Sequence, residues 1–235
     1  MTEPEPLRGV IFDMDGVLCD SEPLIREAAC RMFRQRHGVA VAPADFDPFT
    51  GTGEDRFLGG VAETFGVKLD MPADKDWTYE AYLELIRGRL TPLPGAVAFI
   101  EACREAGLQL AVASSADRVK VDGNLEQIGL PPRRFDALVC GNDVEKKKPD
   151  PSIFQLAADI IGLPPSACLV VEDAPSGIEA ARRAGALSLG VCSSFSARSL
   201  QEAGAEWTCP DLAHVPAGLL ERLGVAGKAP QPPSP

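Results

Sequence analysis

The stretch GVIFDMDGVLCD, residues 9–20, decides the fold of this chain. Its apolar run VIF predicts a short buried strand, and Gly16 lets the chain turn away directly after it. Asp13 and Asp15 follow the run, and alternate residues of a strand share a face. Two neighbouring carboxylates repel each other unless a cation or a shared proton compensates. We therefore expect this strand end to hold a hard divalent cation such as Mg²⁺. The alternative is a helix-capping Asp followed by a turn Asp.

Composition restricts the classes of protein to which the chain can belong. At 235 residues, with 45% hydrophobic and 24% charged residues, it suits one large globular domain or a core plus a smaller insert. No apolar run approaches the roughly 20 residues that span a bilayer, so we expect no membrane insertion. Its 23 basic and 34 acidic side chains give a net charge of −11, which disfavours nucleic acid. A small phosphorylated metabolite stays compatible, because a few local cations and a metal can dominate one pocket.

Cysteine usage and the chain ends indicate a soluble protein of a reducing compartment. The seven cysteines are scattered, odd in number and without a CxxC pair, which argues against a disulfide framework or a zinc site. The first residues, MTEPEP, are acidic and polar and predict no signal peptide, although such a start can also follow a removed targeting segment. We expect a monomer, with residues 226–235 as a disordered, proline-rich tail or linker.

Helical periodicity dominates the segment that follows Asp20. Apolar spacing predicts helices over residues 21–36, 54–65 and 77–90, joined by a loop at 46–53 and a polar connection at 68–76. No convincing strand falls between them. We therefore expect an all-helical insert, residues 21–90, directly after the first strand.

Beyond Pro94 the pattern changes to helices alternating with short apolar runs. The runs predict five further strands, at residues 108–113, 137–140, 168–171, 187–191 and 207–208. Such alternation is typical of an α/β fold with a doubly wound parallel sheet covered on both faces. We expect this core domain to comprise residues 1–20 and 91–225, with a cap domain at 21–90.

Chemically useful residues follow four of the predicted strands. In chain order they are the Asp13/Asp15 pair, Ser114-Ser115, Lys148 before a proline, and Glu172-Asp173. Ligands bind such sheets at the carboxyl ends of the strands, so these residues are expected to share one site. Each has a simpler interpretation as well: a helix-capping serine, one of three solvated lysines, or an ordinary strand-to-loop junction.

This set resembles the four motifs of the haloacid dehalogenase (HAD) superfamily over residues 9–193. Four motifs match those of the superfamily in type and order. They are a DxDG, a Ser ending the second strand, a Lys-Pro at a helix start and a Glu-Asp after a later strand. The helical insert resembles the C1 cap of subfamily I, to which β-phosphoglucomutase, phosphoglycolate phosphatase and the xylulose-bisphosphate phosphatases belong.

The resemblance implies a Mg²⁺-dependent phosphomonoester hydrolase that works through an aspartyl-phosphate. Asp13 would be the nucleophile, and Asp15 would protonate the leaving oxygen and later deprotonate water. The resemblance further assigns the phosphoryl oxygens to Ser114, Ser115 and Lys148. It assigns the metal to Asp13, the backbone carbonyl of Asp15 and Asp173, with Glu172 as a ligand or directly beside one.

Residues of the helical insert are expected to choose the substrate. The mutase and the xylulose-bisphosphate phosphatases carry a His twelve positions after the nucleophile, where this chain has Ile25. The mutase's phosphate-gripping Arg falls near Glu54. These departures favour a phosphatase over a sugar phosphomutase, which stays the alternative. Thr52 and Arg56 are expected to bind substrate, Arg56 by facing the cleft and gripping a second anionic group; otherwise Arg56 pairs with a neighbouring acid on the surface.

Two stretches resemble the phosphatase-type domain at the N-terminus of the plant suppressor-of-quenching proteins. They are GTGEDRFLGGVAE, residues 51–63, and VASSADR, residues 112–118. Those relatives are multidomain chloroplast proteins, which implies the chloroplast stroma as an alternative to the cytoplasm. The same resemblance leaves open a third function, a docking or regulatory module within a larger protein.

Overall fold

A parallel sheet forms the centre of the computed structural model, which describes residues 6–50 and 53–225. Within those residues six strands pair in the order β3-β2-β1-β4-β5-β6, and every pairing is parallel. The strands are β1 Gly9–Phe12, β2 Gln109–Ala113, β3 Ala137–Val139, β4 Cys168–Glu172, β5 Leu187–Val191 and β6 Trp207–Cys209. The predicted parallel sheet is confirmed.

Strand β1 lies between β2 and β4, with Phe12 in register with Val112 and Val171. All four of its residues are buried, which explains why the strand is purely apolar. From β1 the chain continues to β2 and β3 on one side and returns to β4 on the other. This reversal is a topological switch point, where open α/β sheets bind their ligands. Asp13 follows β1 at that point.

The segment between β1 and β2 is helical, and the described residues 21–50 and 53–90 contain no strand. Its helices are α1 Glu22–His37, α2 Glu54–Phe65 and α3 Met71–Leu85. Helix α1 ends at Gly38, whose φ of 69° is the left-handed conformation that glycine adopts readily. The helical character predicted for the insert is confirmed, whereas its division from the core as a separate cap domain stays a prediction. The predicted tail at 226–235 lies outside the described residues.

Two predictions within the insert were wrong in their boundaries. Helix α3 begins at Met71 and ends at Leu85, whereas the sequence predicted residues 77–90, so the expected polar connection at 68–76 is largely helical. Part of the polar pattern comes from Asp74, which is buried and pairs with Arg36 and, at 3.0 Å, with His37. The predicted loop at 46–53 also begins inside a 3₁₀ helix, Pro43–Phe49.

Helices cover both faces of the sheet, as the doubly wound fold requires. On one face Ile11 and Val170 pack against α6 (Ser152–Ile160) and α7 (Pro175–Ala184). On the other, Phe12 meets Phe99 edge-on with ring centroids 6.1 Å apart. That face is covered by α4 (Ala96–Glu105), α5 (Arg118–Gln127) and α9 (Ala217–Arg222), while α8 (Ala197–Ala203) packs beside β5 and β6. In the part of the chain that the structure describes, no helix has the length and apolar character needed to cross a membrane.

Candidate active site

A cleft of about 820 Å³ lies over the carboxyl ends of the central strands. The strand ends contribute one wall, which includes Asp13, Ser114, Lys148 and Asp173. The helical insert contributes the opposite wall, which includes Glu22, Arg26, Glu54 and Phe57. The fold therefore brings the separate sequence motifs into one site, as parallel strand ends at a switch point should.

Lys148 joins two acidic side chains of the cleft. Its Nζ donates to the carboxylate of Asp13, to Oε1 of Glu172 at 2.7 Å and to the carbonyl of Ala113 at 3.2 Å. All three charged side chains are buried, and a buried charge is tolerated only when it is paired and hydrogen-bonded. Of the two preceding lysines, Lys146 has a side chain 75% exposed. Of the three lysines in the run, Lys148 is therefore the one that this structure pairs with the carboxylates.

Both oxygens of Glu172 are engaged inside the protein. Oε1 accepts from Lys148, and Oε2 accepts from the backbone N–H groups of Asp173 and Ala174, each at 2.8 Å. Helix α7 packs closely against the same carboxylate. A Cβ added at Gly177 of this helix would lie only 1.8 Å from Oε1. Glu172 thus supports Lys148 from beside the acidic cluster, and this arrangement agrees with its expected position next to a metal ligand better than with direct ligation.

Asp13 and Asp173 are buried carboxyls whose negative charge is only partly compensated. Burial raises the pKa of Asp173 to about 8, and the charges of Glu172 and Asp13 add to the rise. Burial also raises the pKa of Asp13 to about 7, although the nearby Lys148 opposes this. Gly16, at a φ of 77°, leaves room for Asp173, since a Cβ there would lie 2.0 Å from Oδ2.

The donors around Asp13 fit a hard divalent cation. No three His, Cys, Asp or Glu side chains among the described residues form a group that could hold a metal by themselves. Mg²⁺ however takes only one or two protein carboxylates and keeps several waters. Asp13, Asp173 and the backbone carbonyl of Asp15 supply oxygens of the kind that Mg²⁺ takes. Burial is the main cause of the raised pKa of both carboxyls, and a bound cation would offset this cost of keeping them charged.

Asp15 is held by two residues that the sequence analysis did not single out. Its Oδ2 accepts from Nζ of Lys120 at 2.9 Å. Its Oδ1 accepts from the backbone N–H of Ser21 at 3.2 Å and from the Ser21 hydroxyl. Lys120 belongs to α5, is 3% exposed, and also lies 3.9 Å from Oε1 of Glu54. The carboxylate of Asp15 is therefore positioned by a core lysine that also contacts the helical insert.

Ser114 and Ser115 both line the cleft after β2. Ser114 is buried, and its Oγ accepts from the backbone N–H of Ala116 at 3.2 Å. Ala116 lies before helix α5, whose N-cap residue is Asp117, so this contact is a turn within the loop and not the helix cap that was the simpler interpretation of this serine. A hydroxyl that accepts one hydrogen bond still has a proton to donate, so this turn contact and ligand binding are compatible.

The expectation that Arg56 faces the cleft was wrong. Its guanidinium pairs with Glu63 at 2.8 Å and lies over the ring of Phe49, and its side chain is 52% exposed. Glu63 follows Arg56 by seven residues on α2, so both point from the same outer side of the helix. The arginine at the cleft is instead Arg26 of α1, which donates to Asp47 and, at 2.7 Å, to Thr50. Thr52 lies outside the described residues.

These strand-end carboxylates, the buried lysine and the helical insert define a class of enzyme, and comparison with known proteins agrees. Residues 7–185 match the haloacid dehalogenase-like hydrolases, and the chain belongs to that family. The predicted family is confirmed.

The individual relatives include a phosphatase and a putative phosphomutase. The chain is 44% identical over 209 residues to Suppressor of quenching 1, a chloroplastic protein of Arabidopsis thaliana, covering 88% of this chain and 20% of that protein. It therefore spans about a fifth of that relative's length. It is 32% identical over 194 residues to the validoxylamine A 7′-phosphate phosphatase of Streptomyces hygroscopicus subsp. limoneus, covering 82% of this chain and 89% of that protein. A solved structure of a putative β-phosphoglucomutase from Thermotoga maritima has 31% identity and a TM-score of 0.70, covering 86% of this chain and 94% of that one.

Proposed function

We propose that the protein hydrolyses the phosphate ester of a small metabolite, with Mg²⁺ and through an aspartyl-phosphate. The observation that carries this proposal is the buried contact between Asp13 and Lys148 at the switch point of the sheet. A carboxylate there is close to a fixed cation that can bind the phosphoryl group. Asp15, two residues away along the chain, supplies a second carboxyl for proton transfer.

In the first step an oxygen of Asp13 attacks phosphorus, and the bond between phosphorus and the leaving alcohol oxygen breaks. This divides one difficult displacement into two easier ones. Lys148 stabilises the charge on the phosphoryl oxygens, and the hydroxyls of Ser114 and Ser115 donate to the remaining oxygens. Glu172 keeps Lys148 in place through the bond at 2.7 Å.

Proton transfer belongs to Asp15. It gives a proton to the leaving alcohol, and in the second step it takes one from the water that attacks phosphorus and releases Asp13. Lys120 and Ser21 fix the orientation of this carboxyl. Asp13, Asp173 and the carbonyl of Asp15 would hold Mg²⁺, which would supply the positive charge that lets a carboxylate approach a phosphate dianion.

A sugar phosphomutase is the second candidate, because one structural relative is a putative β-phosphoglucomutase. A mutase must hold a second phosphate while its intermediate turns over. Ile25 and Glu54 line this cleft, and neither an apolar side chain nor an ionised carboxylate can donate to a phosphate. With a hexose 1-phosphate and its bisphosphate activator, release of free phosphate supports the phosphatase, and formation of the 6-phosphate supports the mutase.

We propose further that the protein works as a monomer in a reducing compartment, either the cytoplasm or the chloroplast stroma. All seven thiols are free, and five of them are buried. The chloroplastic relative supports the second location, and it keeps open a docking or regulatory role in a larger protein.

The reaction class is tested with the purified protein, Mg²⁺ and an aryl phosphate. Asp13→Asn keeps the shape of the side chain and removes the nucleophile, so turnover should fall to background, whereas chelation of the metal should abolish wild-type turnover reversibly. Asp122→Asn, an exposed acid of α5 that pairs with Arg118, is the matched control and should keep wild-type rates. Wild-type rates in Asp13→Asn would contradict the proposal.

A further inference from the structure

We propose that Glu54, Glu22 and Arg26 form a subsite for the hydroxyl groups of an uncharged, polyhydroxylated leaving group. This inference rests on the proposed phosphatase function and names its substrate class, a sugar or polyol monophosphate with one anionic end. All three side chains come from the helical insert and line the cleft.

The position of Glu54 places this subsite on the leaving-group side of the site. Nζ of Lys120 lies 2.9 Å from Oδ2 of Asp15 and 3.9 Å from Oε1 of Glu54, so one ammonium group separates the two carboxyls. Asp15 is the group proposed to protonate the leaving oxygen. Whatever binds beside Glu54 therefore belongs to the alcohol that departs.

Three buried polar atoms of the subsite have no hydrogen-bond partner. They are Oε2 of Glu54, Oε2 of Glu22 and Nε of Arg26. The side chain of Glu54 is only 10% exposed, so water satisfies this acid less than it would a surface acid. Buried polar groups are otherwise nearly always paired, and the side chains that carry these atoms line a cleft, so a ligand bound there can complete them once the side chains turn towards it.

The gap between Glu22 and Arg26 fits a hydroxyl. Oε2 of Glu22 lies 3.6 Å from Nε of Arg26, which is an ion pair but too long for a hydrogen bond. A hydroxyl group both donates and accepts, so it can donate to the carboxylate while it accepts from the guanidinium. A phosphate or carboxylate group can only accept when ionised, and cannot satisfy Glu22.

Charge on this wall argues against a second anion. The two nearby cations that line the cleft, Arg26 of the insert and Lys120 of helix α5, are already engaged with Asp47 and Asp15 respectively. Burial raises the pKa of both Glu22 and Glu54 despite the nearby Lys120, which shows that their negative charge is under-compensated. Hydroxyl donors would stabilise these carboxylates, whereas a second phosphate would be repelled.

Apolar side chains beside the subsite suit the carbon skeleton of a polyol. Ile25 and Phe57 are buried and line the same wall of the cleft. Sugars and polyols present C–H faces together with hydroxyls, and this wall offers apolar surface together with acceptors.

The test compares catalytic efficiency, kcat/KM, on three probes: an aryl phosphate, glucitol 6-phosphate and glucitol 1,6-bisphosphate. We expect the wild-type protein to prefer the monophosphate of glucitol over its bisphosphate. In Glu54→Gln the ratio of efficiencies for glucitol 6-phosphate over aryl phosphate should fall by about tenfold or more, the scale of one hydrogen bond to a charged group. Glu63→Gln is the matched control on the same helix, since Glu63 is 69% exposed and faces away from the cleft, and its ratio should not change.

Glu22→Gln provides the same comparison on a second helix if Glu54→Gln does not fold. An unchanged ratio in the folded variants, no turnover of glucitol 6-phosphate, or a wild-type preference for the bisphosphate overturns the subsite. Failure of the proposed function looks different, because then the wild-type protein with Mg²⁺ does not hydrolyse the aryl phosphate either. Asp13-dependent turnover of the aryl phosphate with an unchanged ratio defeats the subsite alone.

Discussion

The ammonium group of Lys120 lies 2.9 Å from Oδ2 of Asp15, although the two residues are 105 positions apart in the chain. Burial opposes the charge of Lys120, but the carboxylates of Asp15, Glu54 and Glu22 outweigh it and hold its pKa above the ordinary value. The lysine therefore stays charged and couples the proposed acid–base group to the helical insert.

Replacing Lys120 with methionine should reduce both activity and stability. The change keeps a long side chain but leaves the partly buried Asp15 and Glu54 without their cation. Breaking a fully buried pair costs about 3–5 kcal/mol, and a smaller loss is expected here because the Asp15 side chain is 23% exposed. The free energy of unfolding in urea and kcat on an aryl phosphate measure the two effects. Arg118→Met, which removes an exposed ion pair from the same helix, should cost about 1 kcal/mol or less. If both variants lose equally little stability and activity, Lys120 does not position Asp15 for catalysis.

Replacing Lys148 with methionine should abolish turnover, whereas Lys146→Met should not. Lys148 is the cation shared by Asp13 and Glu172, whereas Lys146 is solvent-exposed and 4.0 Å from Asp150. Steady-state kinetics with saturating Mg²⁺ separates a loss of phosphoryl binding from a loss of metal. Substantial activity in Lys148→Met at any substrate concentration would show that another group stabilises the phosphoryl oxygens.

Gly177→Ala should destabilise the protein, although alanine usually favours a helix over glycine by about 0.5–1 kcal/mol. The added Cβ would lie 1.8 Å from Oε1 of Glu172 and would displace that carboxylate from Lys148. Gly59→Ala in α2 is the matched control, because nothing lies within 4 Å of its Cβ position, and it should stabilise the protein. Thermal unfolding measures whether each variant gains or loses stability. A stabilised Gly177→Ala variant would contradict the close packing of Gly177 against Glu172.

Without metal, stability should fall as the pH rises from about 4 to about 8. Burial raises the folded-state pKa of Asp13 to about 7 and that of Asp173 to about 8, above the ordinary value of 3.8 for an aspartate. In that window the native state binds more protons than the unfolded state, so the free energy of unfolding decreases with pH. One pKa unit corresponds to about 1.4 kcal/mol. With chelator present, Asp173→Asn should weaken the dependence of the free energy of unfolding on pH. If the free energy of unfolding of the wild-type protein rises through this window instead, the raised pKa values of Asp13 and Asp173 are contradicted.

The sequence predicts the sheet and the strand-end motifs well because both depend on local pattern. A buried central strand is apolar throughout, and carboxyl ends of parallel strands meet at one edge, so Asp13, Ser114, Lys148 and Asp173 could be grouped before any coordinates. The observed strand boundaries differ little from the predicted ones because glycine and polar residues interrupt each apolar run.

Contacts between distant residues explain what the sequence did not predict. Asp74 makes the start of α3 look like a loop, because its partners Arg36 and His37 lie on another helix. Lys120 looks like an ordinary solvated lysine of a helix, and only its long-range contact with Asp15 shows why it is buried. Arg56 was expected at the cleft because it was assigned to the cap loop. It is instead the third residue of α2, and from that position its side chain points towards Glu63.

The most direct test of the proposed chemistry is to trap a phosphoryl group on Asp13. In Asp15→Asn the good leaving group of an aryl phosphate departs without a proton donor, whereas water attack on the phosphoenzyme lacks its base and stalls. Acid quenching followed by peptide mass spectrometry should locate one phosphoryl group on Asp13, and none in the Asp13→Asn/Asp15→Asn double variant. A phosphoryl group on another residue, or no phosphoenzyme while wild-type turnover depends on Asp13, would contradict the aspartyl-phosphate route.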